Sequence, residues 1–326
     1  MLVLSRREVE ALLDLDLLIE AVARPLADLS AGTVSMPARV AAVVPDRGSL
    51  LAMPAYLPSI GALTTKLVGL FPRNEARGLP SHVAVVLAFD PETGAPVALM
   101  DGEAITAART AAGSALATRL LARPEASVLA ILGTGVQARA HARAVPRVWP
   151  IREIRVAGRA PGKVRALADE IAAEWKLPVR PAGSYSEALA GADIVCATTH
   201  SPEPVVRREW IGPGVHVNSV GFSGGTEVDA ATVRDALVVL ETRQAAVAPY
   251  PAGANEIAWP IRDGVITGDH VHAELGEIVA GTRPGRTSPE RITLYKSIGV
   301  AVQDAAAAAL VLGLARERGL GSEIEI

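Results

Sequence analysis

One cysteine, Cys196, in a chain of 326 residues rules out an intramolecular disulfide, and with it the stapled scaffold of a small secreted domain. Aromatic residues make up 3% and hydrophobic residues 50%, so large cores must be built from Ala, Val and Leu. No apolar run approaches the ~20 residues of a membrane span. Neither sign of charge dominates: a net charge of −3 without runs of like charge gives no basic field for nucleic acid or an anionic membrane. The opening Met1-Leu-Val-Leu-Ser-Arg-Arg-Glu8 lacks the order of a signal peptide, so a soluble, cytoplasmic protein is expected. There is no Walker loop, which leaves phosphoryl-transfer chemistry without a foundation. Six scattered histidines include the pair His270 and His272, with no third ligand at useful spacing; no metal is expected.

What is present centres on Ala126-Ser-Val-Leu-Ala-Ile-Leu-Gly-Thr-Gly-Val-Gln-Ala138. An apolar run leads into Gly133, Thr134, Gly135, Val136 and Gln137, the strand, glycine turn and helix start of a dinucleotide pyrophosphate site. Gly133 permits the turn, Gly135 removes a side chain that would block the phosphates, and Ala138 keeps helix and strand close. The helix N-terminus offers N–H groups and a partial positive charge. A lone match of this kind is weak; the flanking strand and helix make it specific. NAD sites put an acid at the end of the second strand, whereas this strand ends Val156-Ala-Gly158-Arg159, with Lys163 one turn on. An arginine suits a 2′-phosphate, so NADP(H) is favoured, with NAD(H) as the alternative and a surface Arg159 as the bland reading.

The length suggests two domains. Ser5 and Glu8 form a capping box for a helical stretch running to about residue 30, broken near Asp14 and Asp16 and stopped by Gly32. Residues 36 to 100 read as strands, with Asp90-Pro-Glu-Thr-Gly94 as a hairpin turn, giving a mostly antiparallel α+β domain. An Ala-rich helix from Gly102 to Leu121 links it to βαβ alternation from 127 to about 240, the pattern of a doubly wound parallel sheet. Within it Asp193-Ile-Val-Cys-Ala-Thr-Thr199 reads as a buried strand with Cys196 a core residue. A loop-rich stretch spans Pro249 to Pro289. The last helix, Ser297 to Arg318, is expected to pack back onto the first domain. The expected division is 1–118 plus 298–326 for substrate binding and dimerisation, and 119–297 for a Rossmann domain.

Charged groups stand among apolar residues at Arg39, Lys66 and Arg109, with Ser81 and His82 after Gly78-Leu-Pro80. Taken alone, Arg109 could face solvent, Arg39 could be a surface residue and Lys66 an edge-strand guard. The functional reading makes the arginines a fork for a substrate carboxylate, and Lys66 a proton donor to a carbonyl or imine, its pKa lowered by burial.

The stretches Thr65-Lys66 to Asn74, Gly78-Leu-Pro-Ser-His82, Met100-Asp-Gly-Glu-Ala-Ile-Thr-Ala-Ala-Arg-Thr-Ala-Ala112, Gly133 to Ala138, Gly276-Glu-Ile-Val-Ala-Gly281 and Ile292-Thr-Leu-Tyr-Lys-Ser-Ile-Gly299 resemble the ornithine cyclodeaminase and mu-crystallin family nearly end to end. The Ser81-His82 pair and Met100-Asp-Gly102 lean to the mu-crystallin side. The resemblance implies a homodimer joined through the first domain, a Rossmann domain holding NAD or NADP, and a site between the domains. It implies that Arg39, Lys66 and Arg109 bind and activate an amino or imino acid, with Ser81 and His82 facing it. It also implies cofactor contacts at Thr198, Thr199, Val220, Lys296, Ser297 and Gly299. One departure stands out: where the cyclodeaminases carry a catalytic aspartate this chain has Ser223. A hydroxyl without a base cannot do a carboxylate's proton work, although Glu227 lies four residues on. The expected activity is therefore NADPH-dependent reduction of a 2-imino acid. The alternatives are ornithine cyclisation with bound NAD, an alanine-dehydrogenase-like reaction, or a cofactor-loaded binding protein.

Overall fold

The computed structural model describes residues 1–221, 224–244, 248 and 253–325, leaving out the side chain of Glu75. Helices begin where the sequence supplies caps. Ser5 and Glu8 cap each other's backbone at α1 (Arg6–Leu12). The Asp14 carboxylate accepts from the amides of Asp16 and Leu17 to start α2 (Leu15–Ala21). A third helix, α3 (Ala23–Ser30), stops just before Gly32, which is left-handed at φ 71°. The strands that follow are β1 (Leu2–Leu4), β2 (Val40–Val44), β3 (Gly48–Leu57), β4 (Ala62–Leu70), β5 (His82–Phe89) and β6 (Pro96–Asp101). With the terminal strand Ser322–Glu323 they form one sheet, ordered terminal strand, β1, β6, β5, β4, β3, β2. Only the β1–β6 pair is parallel.

Register decides which side chains this sheet hides. Met53, Lys66, Val86, Met100 and Leu4 stand in one row across it, and all five are buried. Lys66 is the charged member of that row, and β4 lies third from the edge, so Lys66 is no edge guard. The C-terminal helix, Ala301–Arg318, covers β3, β4 and β5 and also meets α1, α2 and α3. Its residues Ala305 to Ala308 are buried, which lets the helix lie close to the strands. It starts at Ala301 and not at Ser297 as its apolar pattern suggested. The reason is local: Gly299 has φ 73°, outside helical space, and the Ile298 amide bonds to Glu241.

The chain forms two compact units, Met1–Arg109 with Gly299–Ile326 and Thr110–Ile298. The division falls within α4 (Gly102–Leu121). Side chains explain why the second half of that helix belongs to the second unit: Ser114 bonds to His141, and Thr118 accepts from Asn218. The second unit is built on eight parallel strands: β7 (Val128–Leu132), β8 (Glu153–Ala157), β9 (Val179–Pro181), β10 (Ile194–Ala197), β11 (His216–Ser219), β12 (Leu237–Leu240), β13 (Val271–Glu274) and β14 (Thr293–Lys296). Their order is β13-β12-β14-β11-β10-β7-β8-β9. From β7 the order runs outward through β8 and β9 on one side and through β10 and β11 on the other, with β14 standing between β11 and β12, so this is a doubly wound Rossmann sheet with its switch point between β7 and β10. Cys196 of β10 is a core residue, its thiol pushed up by burial to about 12. The stretch read as loop from 249 to 289 holds two helices, Asn255–Arg262 and Leu275–Val279, as well as β13. Pro260 inside the first of them hid its pattern; residues 249–252 lie outside the described residues. Among the described residues no helix is long and apolar enough to cross a membrane.

Two substitutions on the C-terminal helix should have opposite signs. Ala305 is fully buried, and Ala305→Leu is expected to destabilise by about 1–3 kcal/mol through overpacking. Gly313 is exposed, in helical conformation, with open space where a Cβ would stand. Gly313→Ala is expected to stabilise by about 0.5–1 kcal/mol. Urea unfolding midpoints of the two variants check both.

Candidate active site

In the first unit, four distant segments meet on the buried face of the sheet. β4 supplies Lys66, the first half of α4 supplies Thr106 and Arg109, the C-terminal helix supplies Gln303 and Asp304, and the segment before β2 supplies Arg39. Lys66 Nζ donates to Asp304 Oδ1 at 3.1 Å and stands 2.9 Å from Oδ2, without hydrogen-bond geometry to the latter. Arg109 Nε donates to the same Oδ1 at 2.9 Å, and its Nη1 donates to Gln303 Oε1 at 3.2 Å. Thr106 Oγ1 lies 3.4 Å from Nζ. Arg39 Nη2 donates to the carbonyl of Gly299 at 2.8 Å. Gly299 serves both arginines, because a Cβ there would fall 2.6 Å from Arg109 Nη2. Read from sequence as a cofactor residue, Gly299 sits instead among the arginines.

Lys66, Arg109 and Asp304 are each no more than 3% exposed. Ions so far from water are tolerated only when paired and hydrogen-bonded. Burial lowers the Lys66 ammonium to about 8; Asp304 opposes that shift, while Arg109 and Arg39 add to it. Burial pushes the Asp304 carboxyl upward, but Arg109 and Lys66 outweigh it and hold the group below the ordinary carboxylate value. An amine poised near 8 exchanges protons readily at physiological pH. Arg39, Lys66 and Arg109 are thus brought together as their sequence setting suggested. Ser81 and His82 are not brought against Lys66. Ser81 Oγ stands 3.1 Å from His82 Nδ1, and His82 opens β5 opposite Leu70, four residues beyond the Lys66–Val86 pair, or about 13 Å along the strand.

In the second unit the glycine turn occupies the switch point. Gly133 follows β7 at φ 118°, and a Cβ there would meet Thr198 Oγ1 at 2.7 Å and its carbonyl at 2.8 Å, just after β10. Thr198 in turn donates to the Leu132 carbonyl. Gly135 caps α5 (Val136–Val148) with open space at its Cβ, and no side chain caps that helix N-terminus. Val136 is exposed, and the buried Gln137 Oε1 has no hydrogen-bond partner among the described residues. Gly158 closes against Thr134 and Val164, and Arg159 beyond it is exposed. A turn opened by two glycines, an uncapped helix start and an unpartnered buried acceptor fit a dinucleotide pyrophosphate.

Other residues expected at a cofactor turn inward. Lys296 is 1% exposed; its ammonium donates to the Gly221 carbonyl and Ser219 Oγ and pairs with Glu256. Ser297 Oγ donates to Glu241. Val220 donates its amide to Ala197. Thr199 gives its amide and hydroxyl to Glu227 Oε1, while Glu227 Oε2 accepts from Ser219 Oγ and the Gly221 amide. With both oxygens engaged, Glu227 anchors the loop after β11 and is not a free base; burial raises its carboxyl against the pull of Lys296. Ser223 and Phe222 lie outside the described residues. Sequence reading missed Asp304, Gln303 and Glu256. The signal for the first two was a polar pair at the head of a helix otherwise rich in Ala, Val and Leu.

Comparison with known proteins gives one consistent picture. The model of the ornithine cyclodeaminase/mu-crystallin family matches residues 1–319. The ketimine reductase mu-crystallin of Mus musculus is 40% identical over 301 residues, covering 90% of this chain and 91% of the relative. The solved Thermococcus litoralis Δ1-pyrroline-2-carboxylate reductase, in complex with NADH and L-proline, superposes with a TM-score of 0.95 at 39% identity, covering 99% of this chain and 100% of that one. An archaeal alanine dehydrogenase dimer with bound NAD gives 0.93 at 33% identity, covering 100% and 99%.

Gly299→Ala tests the packing of the cluster. Gly61 has a similar φ of 60° but nothing within 4 Å of its Cβ position. Both alanine variants carry backbone strain of about 1–3 kcal/mol, so Gly299→Ala is expected to lose more stability than Gly61→Ala, by about 1 kcal/mol or more, through displacement of Arg109. Equal losses in urea unfolding would show that Arg109 does not press on Gly299.

Proposed function

We propose a reaction from the premise that the chain belongs to the ornithine cyclodeaminase/mu-crystallin family: this oxidoreductase uses a nicotinamide dinucleotide to reduce the C=N bond of a 2-imino carboxylic acid to the amino acid. The observation that carries the reading is the buried cluster in which Lys66 and Arg109 share Asp304 while Arg39 is held on Gly299. Arg39 and Arg109 hold the substrate carboxylate. Lys66 orients the imine and gives its nitrogen a proton, leaving a neutral amine that bulk water reprotonates. The bound dinucleotide supplies the hydride that completes the C–H bond at the former imine carbon. Suitable substrates are Δ1-pyrroline-2-carboxylate, Δ1-piperideine-2-carboxylate, or an imine formed from pyruvate and an amine. L-proline, bound in the Thermococcus litoralis relative, is the reduced form of the first.

NADPH is the preferred cofactor because Arg159, exposed just past β8, offers charge to a 2′-phosphate and no acid stands there for a ribose hydroxyl. Arg159→Ala is expected to raise KM for NADPH about tenfold and leave KM for NADH unchanged; equal effects would remove the preference. A second copy of the chain covers the outer face of the antiparallel sheet, where Val40, Leu50, Val83 and Val85 are exposed in adjacent rows. That reading is in line with the dimer described for the archaeal relative.

Ornithine cyclisation would need a carboxylate at position 223, which is serine, and Glu227 is fully engaged elsewhere. The binding-protein alternative is separated by Lys66→Met. Its kcat with either cyclic imine is expected to fall about 100-fold or more, with NADPH binding intact by fluorescence titration; unchanged turnover would favour the binder. The pH profile carries a sign. The donor is the protonated lysine, so kcat/KM for imine reduction should be level below about pH 8 and fall tenfold per unit above it. The reverse oxidation of the amino acid, which needs the neutral amine as base, should rise through the same region.

A further inference from the structure

We propose that Asp304 is a positioning residue which fixes the spacing between proton donor and carboxylate anchor; the proposal rests on the imine-reductase reading above. The geometry behind it is one oxygen shared by two cations. Nζ of Lys66 and Nε of Arg109 both bond Asp304 Oδ1, at 3.1 and 2.9 Å, so they stand no farther apart than those two bonds laid end to end. In a 2-imino acid the carboxylate carbon and the C=N carbon are direct neighbours. A proton donor and a guanidinium held this close serve both groups at once.

The remaining contacts make the arrangement rigid. Arg109 Nε faces Asp304 and its Nη1 faces Gln303 from the next position on the same helix. This fixes the plane of the guanidinium. Gly299 leaves space for its far edge. The groups facing Lys66 are Asp304 from the C-terminal helix, Arg109 and the Thr106 hydroxyl from α4, and Arg39 ahead of β2; its row neighbours Met53 and Val86 are uncharged. Asp304 is the anion of that set and opposes both the burial and the arginines that disfavour the ammonium. It is itself held low by Arg109 and Lys66, so it stays ionised and acts as a fixed counter-charge without exchanging protons with substrate.

The test titrates the Lys66 side-chain nitrogen by 15N NMR in the wild type, D304N and D304E, with Lys66→Met supplying the assignment, alongside steady-state kinetics on both cyclic imines. In D304N the Lys66 midpoint is expected to drop by more than one pH unit from about 8, and the alkaline limb of kcat/KM should move down with it. In D304E the charge is retained and the midpoint should stay. The extra methylene displaces both cations, so kcat should fall at least tenfold while NADPH affinity stays within twofold. A folded D304N with the wild-type midpoint and limb overturns the proposal, as does D304E with wild-type kcat. Where D304N fails to fold, D304E decides alone. A wild-type protein that reduces no imine while the Lys66 midpoint moves as expected would sink the proposed reaction and leave the hold of Asp304 on Lys66 standing.

Discussion

A lysine ammonium under the middle of a β-sheet has no place in a protein core unless an anion meets it there. Here that anion is Asp304, and much of the first unit follows from the requirement. The C-terminal helix must return across the chain to deliver it, and it must lie close, which its run of buried alanines allows. Gly299 must interrupt the approach of that helix, since its left-handed backbone turns the chain and its missing side chain leaves space for Arg109. Removing one partner of such a pair costs about 3–5 kcal/mol, so the cluster is costly to keep and costly to break. Its justification lies in chemistry, because burial beside two arginines brings Lys66 to about 8.

The second unit uses the same device for another end. Lys296 at the close of β14 is as buried as Lys66, but it is ringed by the Gly221 carbonyl, Ser219 and Glu256, with Glu227 beside it. This network sets the loop after β11, while Asn255 bonds the carbonyl of Gly224 on the loop's far side. One buried lysine is left near a proton-exchange pKa and the other is saturated with acceptors. Burial alone does not mark a reacting residue; what meets the charge does.

Much of this was legible in the chain because the signals were local. The Ser5–Glu8 cap, the hairpin at Asp90 and the glycine turn after β7 each depend on a few adjacent residues. Arg39, Lys66 and Arg109 stood out as charges in apolar company. Asp304 did not, because an acid in the first turn of a helix has an ordinary explanation in the helix dipole. Only packing shows that it faces inward. Lys296 and Ser297 were placed at the cofactor by motif, yet nothing local tells that their side chains point into the core. The start of the last helix was misjudged because apolar Ile298 and Val300 continue its pattern, whereas the sign of φ at Gly299 leaves no mark in that pattern.

The central claim is that this chain carries out net reduction of an imine at the carbon bearing the carboxylate. The direct measurement is to supply NADPH deuterated at the transferable position with Δ1-piperideine-2-carboxylate, and to follow cofactor oxidation and the product by mass and NMR spectra. The account requires one deuteron on the α-carbon of the product for each cofactor oxidised. An amino acid formed without cofactor loss, or with no deuterium at that carbon, would contradict it.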